Sequence, residues 1–188
     1  MRASVPRVRV LLLAVTLGLA TAGAAAPHPV ADGGGARTVG ELAVERLARG
    51  GVAVYCGSRS VRLVALTFDD GPGLNAEVGR TRSAETARTG RLVSLFRPPY
   101  GVRTAAADTY LRRLGVLQVL WDVADSAAGI RPGSIVLLHE TRQQTVPLLR
   151  GILRDLKRRH LRAVTVPELL AAKRPRLTRD VRGPRTDC

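Results

Sequence analysis

Lysine, histidine and cysteine are all scarce in this chain. Of its 30 basic residues only Lys157 and Lys173 are lysines, so a formal net charge of +15 is carried almost wholly by arginine. A charge of that size permits anionic partners such as nucleic acid, membrane surfaces or acidic wall polymers. No nucleic-acid recognition motif accompanies it, and Ala, Gly and Arg are abundant together, as a compositional bias would give; nucleic acid is not the expected partner. The three histidines, His28, His139 and His160, leave little material for a histidine-built metal centre. Cys56 and Cys188 are the only cysteines. In an oxidising compartment they either pair, tying the C-terminal segment to the first strand, or remain two free thiols.

A long apolar run is missing too. Val10–Ala20 is apolar but short for a membrane span. Arg2, Arg7 and Arg9 precede it, and Ala22-Gly23-Ala24 or Ala24-Ala25-Ala26 follows as a small-residue cleavage site. Residues 1–26 therefore read as an export signal, with no cysteine nearby for a lipid anchor. The expected product is secreted, with no stable membrane insertion after cleavage.

What is present is one domain's worth of alternating elements. Residues 27–51 read as a Pro/Gly-rich linker followed by a short helix, for which Thr38 and Glu41 supply a capping box and Gly50-Gly51 a stop. Apolar strands are expected at Val52–Tyr55, Val61–Phe68, Leu92–Phe96, Val116–Trp121, Ser134–Leu138 and Leu161–Val166. Helices are expected over residues 83–91, over 104–114 with Thr104 as N-cap, and over 145–159, where Val146, Leu149, Ile152, Leu153 and Leu156 share a face. Pro167 opens a last short helix to Lys173. The folded domain is placed at residues 52–173, and the Arg- and Pro-rich residues 174–188 read as a disordered basic tail. Strands alternating with helices indicate an α/β domain with a mostly parallel sheet.

The chain is organised around Leu66-Thr67-Phe68-Asp69-Asp70-Gly71-Pro72, a strand that ends in two adjacent carboxylates and turns. Two acids at the mouth of a buried strand are costly unless exposed, paired or bound to metal. Thr67–Pro72 resembles the first signature of the polysaccharide deacetylase family (the NodB homology domain). Arg97-Pro98-Pro99-Tyr100-Gly101 and Leu137-Leu138-His139 resemble two later signatures, in the family's order. The resemblance implies a distorted (β/α) barrel, here incomplete, since residues 52–173 fall short of the roughly 200 that such a barrel uses. It implies removal of acetyl groups from chitin-type or cell-wall polysaccharide, assisted by a divalent metal, zinc by resemblance.

The resemblance also assigns roles. Asp69 is the general base, Asp70 a metal ligand, Arg97 the side chain that positions the base, and His139 the general acid. Tyr100 contributes its main-chain N–H to the oxyanion, and Leu137 lines the acetyl pocket. Histidine is the side chain type suited to acid–base work near neutral pH.

Two departures stand out. The family's H-x-x-x-H pair should lie between Pro72 and Arg97, and no histidine occurs there. Catalytic zinc normally uses three protein ligands, so Asp70 alone leaves the site incomplete. The segment Asp125-Ser126-Ala127-Ala128-Gly129 stands where the family carries an acid that tunes the histidine, which leaves Asp122 or Asp125 to take that place. The expectation is a deacetylase-like hydrolase. The alternatives are a non-catalytic relative that binds wall polymer, or a damaged gene product.

Overall fold

The computed structural model describes residues 37–69 and 94–188. The first element, α1 (Val39–Arg49), starts at the expected capping box: Thr38 Oγ1 accepts from the Glu41 N–H, and the Glu41 carboxylate accepts from the Thr38 N–H. Then come β1 (Ala53–Val54), β2 (Leu63–Asp69), β3 (Leu95–Phe96) and a 3-10 turn at Pro99–Gly101. They are followed by α2 (Ala105–Leu114), β4 (Leu117–Val119), β5 (Val123–Ala124), β6 (Ile135–His139) and α3 (Thr145–Arg158). The chain closes with β7 (Arg162–Val164), α4 (Val166–Ala172), β8 (Leu177–Asp180) and β9 (Gly183–Thr186). The helix expected over 83–91 lies outside the described residues, as does the export signal. Among the described residues no helix is long and apolar enough to cross a membrane.

The strands form two sheets, ordered β3-β4-β1-β9-β8 and β5-β6-β2-β7. Among the described residues every strand pairing is parallel except β8 with β9. The segment 117–124 leaves the first sheet as β4 and enters the second as β5, and a bridge from Cys56 to Ser134 joins them again. The described residues thus make an open α/β arrangement rather than a closed barrel, in line with the incomplete barrel expected.

A parallel strand covered on both faces must be apolar on both faces, and β6 shows this. Ile135 belongs to the core that α1 and α4 cover, with Val44, Leu47, Leu117, Leu169 and Leu170. Val136 and Leu138 belong to the core under α3, with Val64, Ile152 and Leu156. Residues 135, 137 and 139 therefore face one way and 136 and 138 the other.

Two boundaries differ from expectation. The folded domain does not begin at residue 52, because α1 buries Ala43, Val44, Leu47 and Ala48 to 3 % exposure or less. Its amphipathic face had a partner in α4 that local sequence could not show. Residues 174–188 are not a disordered tail: they form the β8–β9 hairpin. β1 offers β9 a ladder edge, and buried Thr186 accepts from the N–H groups of Tyr55 and Cys56 at 2.9 and 3.2 Å. A disulfide joins Cys56 to Cys188. Those fixed contacts outweigh the composition of the segment.

Candidate active site

β2 and β6 lie side by side in parallel, with Thr67 opposite Leu137 and Asp69 opposite His139. Neighbouring strands are about 4.8 Å apart and in-register side chains share a face. Asp69 and His139 therefore stand together at the C-terminal ends of two adjacent strands, above Thr67 and Leu137. Leu137 is 3 % exposed beneath them.

Arg97 follows β3 and reaches across to β2. Its Nη1 donates to Asp69 Oδ1 at 2.7 Å and its Nη2 to Thr67 Oγ1 at 2.9 Å. Its Nε donates to the Val119 carbonyl, and Nη2 also to that of Leu120. Thr67 Oγ1 in turn donates to the Val136 carbonyl. The guanidinium is thus held between β2 and the end of β4, and it fixes the orientation of the Asp69 carboxylate through a charge-assisted bond. Trp121 supplies the floor: the guanidinium carbon lies 5.5 Å from its ring centroid. Gly101, at φ 68°, sits against the same ring, and a Cβ there would approach it to 3.0 Å. Tyr100 adopts φ 56°, a conformation that costs a non-glycine residue on the order of 1 kcal/mol. Its side chain is 97 % exposed. What the Pro98–Gly101 turn fixes is therefore main chain, as a main-chain role for Tyr100 requires.

On the other side, His139 Nδ1 lies 2.8 Å from Asp125 Oδ2 and 3.1 Å from Oδ1. With the Nδ1–H donated to the carboxylate, Nε2 is the ring nitrogen left for a reacting group. Asp125 is held in turn by Arg142, whose Nη1 is 2.8 Å from Oδ2. Asp125 itself has φ 43°, an uncommon value that aims its carboxylate at the imidazole. The open choice between two acids is decided by the fold. Asp122 accepts instead from Arg59, Ser134 Oγ and the Ile135 N–H, and its work is structural.

Sequence reasoning singled out Asp69, Arg97, Tyr100, Leu137 and His139; the structure places Asp69, Leu137 and His139 on the adjacent strands β2 and β6, and Arg97 reaches Asp69 from the segment after β3 of the other sheet. It did not anticipate Thr67 as a brace for Arg97, Trp121 as its floor, or Arg142 as the second partner of Asp125. A tryptophan ending a strand beside a family-like arginine was the one signal available. Asp70 lies outside the described residues.

Among the described residues the expected metal finds no full donor set. Among the described residues no three His, Cys, Asp or Glu side chains are grouped to hold an ion. His139 gives Nδ1 to Asp125. His160 precedes β7, which pairs with β2 at Leu63, six positions from Asp69 and roughly 20 Å away along the strand. The described residues do not fit a three-ligand centre.

No protein-family model matches the chain. Solved structures do match it. One is a peptidoglycan N-acetylglucosamine deacetylase, Bc1960, at 20 % identity and TM-score 0.55, over 63 % of this chain and 92 % of that one. Another is Bacillus subtilis PdaA, a family 4 carbohydrate esterase, at 17 % identity and TM-score 0.55, over 68 % and 88 %. A third is the chitin deacetylase of the fungal pathogen Colletotrichum lindemuthianum, at 18 % identity and TM-score 0.52, over 62 % and 91 %. At these identities the shared property is the fold: the described part of this chain is folded like these deacetylase structures.

Proposed function

We propose that this chain is a secreted, deacetylase-like hydrolase of N-acetylated polysaccharide, with Asp69 as base and His139 as acid. The observation that carries the reading is the in-register pairing of those two residues, each backed by an oppositely charged or hydrogen-bonding partner. Amide hydrolysis needs a base for the attacking water and an acid for the leaving amine, at opposite sides of one carbonyl. Asp69 takes the proton of a water whose oxygen bonds to the acetyl carbon. The C–N bond then breaks as His139 Nε2 gives a proton to the amine, and acetate leaves. The main-chain N–H at Tyr100 is the donor offered to the tetrahedral oxyanion. In the deacetylase family a divalent metal supplies the activated water and polarises the carbonyl. Asp70 is the residue of this chain that would contribute to holding it.

The test is acetate release from N-acetylchitooligosaccharide, with zinc or cobalt added. Release that is abolished by Asp69→Asn supports the reading. A second reading, a non-catalytic relative that binds wall polymer, draws on the missing histidine pair and on the lack of a three-ligand group among the described residues. Absence of acetate with either metal, together with retention on peptidoglycan that survives Asp69→Asn, would replace the first reading by the second.

A further inference from the structure

A groove of about 570 Å³ opens between residues 58–60 and the segment entering β8. Ser58, Arg59, Ser60, Lys173, Arg174 and Arg176 line it, with Asp187 as the acidic side chain among them. It is remote from Asp69 and His139. Gly57 donates to the Gly133 carbonyl and Gly133 to that of Leu63, which puts the groove at the N-terminal ends of β2 and β6. Asp69 and His139 are at the C-terminal ends of the same strands.

The cations there differ in what they already hold. Arg59 is committed: it pairs with Asp122 at 2.8 Å and donates to the carbonyls of Pro132 and Cys188. The side chains of Lys173, Arg174 and Arg176 make no hydrogen bond or ion pair among the described residues. All three are exposed, yet their backbone is anchored, because Pro175 between them is buried and the Asp187 N–H donates to the Arg176 carbonyl at 2.9 Å. Residues 173–188 carry six cations against two acids. A concave wall of fixed, unneutralised cations concentrates anions.

We propose that this groove binds a phosphate-bearing polymer without bases, of which a poly(glycerol phosphate) chain is the simplest form. Arginine forks and a lysine suit phosphate oxygens, and the volume accommodates a short stretch of such a chain. Single-stranded nucleic acid is held on aromatic platforms as well as by charge, and no aromatic side chain lines this groove. The site is independent of catalysis, so it stands or falls separately from the hydrolase reading.

The test is titration calorimetry of the full chain with a short poly(glycerol phosphate) chain over a salt series. The K173Q/R174Q/R176Q variant is expected to bind about tenfold more weakly or worse, and to reduce the slope of log affinity against log salt by about 2. The single Arg176→Gln variant shifts both in the same direction. An equal charge change on the exposed face of α3, R150Q/R154Q/K157Q, leaves affinity within about twofold. All six side chains are exposed, and cooperative thermal unfolding verifies that each variant folds. The proposal is overturned if the native chain does not bind, if the α3 variant loses as much as the groove variant, or if an oligothymidylate of equal charge binds as tightly.

Discussion

Asp69 and His139 are cross-strand partners, the last residues of β2 and β6. The pairing joins two signatures seventy positions apart in the chain and puts a carboxylate and an imidazole on one face. Each has its own brace, Arg97 for Asp69 and Asp125 for His139, and the two braces come from different strand ends.

Arg97 ties β2 to the end of β4, so its loss reaches beyond the site. Arg97→Ala leaves Asp69, Thr67 and the Val119 carbonyl without their donor. The expected cost is about 2 kcal/mol, at the modest end for a paired charge because Asp69 is 35 % exposed in its side chain. Urea unfolding measures it. Arg97→Lys should recover little of the loss, since an ammonium cannot repeat the planar fork. Full recovery by lysine would show that charge alone, and not geometry, is what Arg97 supplies.

Asp125 and Asp122 are three residues apart and do different work. Asp125→Asn should cut any acetate release by about 100-fold or more, through loss of the carboxylate on His139, with little change in stability. Asp122→Asn should do the reverse and lower stability by about 2 kcal/mol, because a buried acceptor of three hydrogen bonds is weakened. Paired unfolding and activity measurements decide it; equal effects of the two variants would contradict the assignment.

The Cys56–Cys188 bond closes a loop with a sequence separation of 132. Chain-entropy reasoning puts its contribution near 5 kcal/mol. Cys188→Ser should lower the unfolding midpoint substantially, and the β8–β9 hairpin should become the first segment cut in limited proteolysis. Unchanged cleavage at residues 174–188 would mean that the ladder to β1 and Thr186 suffices alone.

Glu168 closes the capping box of α4. The Thr165 main-chain N–H and its hydroxyl both donate to the Glu168 carboxylate and hold it below the usual range. A carboxylate with a depressed folded-state pKa contributes stability that is fully present above its unfolded value, about 4.3. That stability is lost as pH falls through the lower folded value. Glu168→Gln should therefore lower the neutral plateau and flatten the part of the acid limb just below pH ~4.3, so that the two chains converge in stability at low pH. Denaturant unfolding across the acid range checks it, and an unaltered acid limb would show that the cap is not linked to stability.

Local patterns were legible where a few adjacent residues decide the outcome. Thr38 and Glu41 cap α1, Thr104 caps α2 by accepting from the Ala107 N–H, and the apolar runs at 63–69 and 135–139 became strands. The second capping box, Thr165 with Glu168, is equally local and brackets Pro167 at the start of α4. β5 was too short to have a period of its own.

By itself the sequence pointed to the kind of domain and marked Asp69, Arg97 and His139 as candidate site residues, because three ordered motifs on strand ends carry that information in their residue types. It also determined that no histidine lies between Pro72 and Arg97. Tertiary structure alone decided which acid serves His139, since Asp122 and Asp125 differ only in where their backbones turn. It decided the fate of residues 174–188, whose Arg- and Pro-rich composition has no fold of its own until β1 lends an edge and Cys56 a sulfur. It also decided that Asp69 and His139 meet, which depends on the register of two strands that no local pattern specifies.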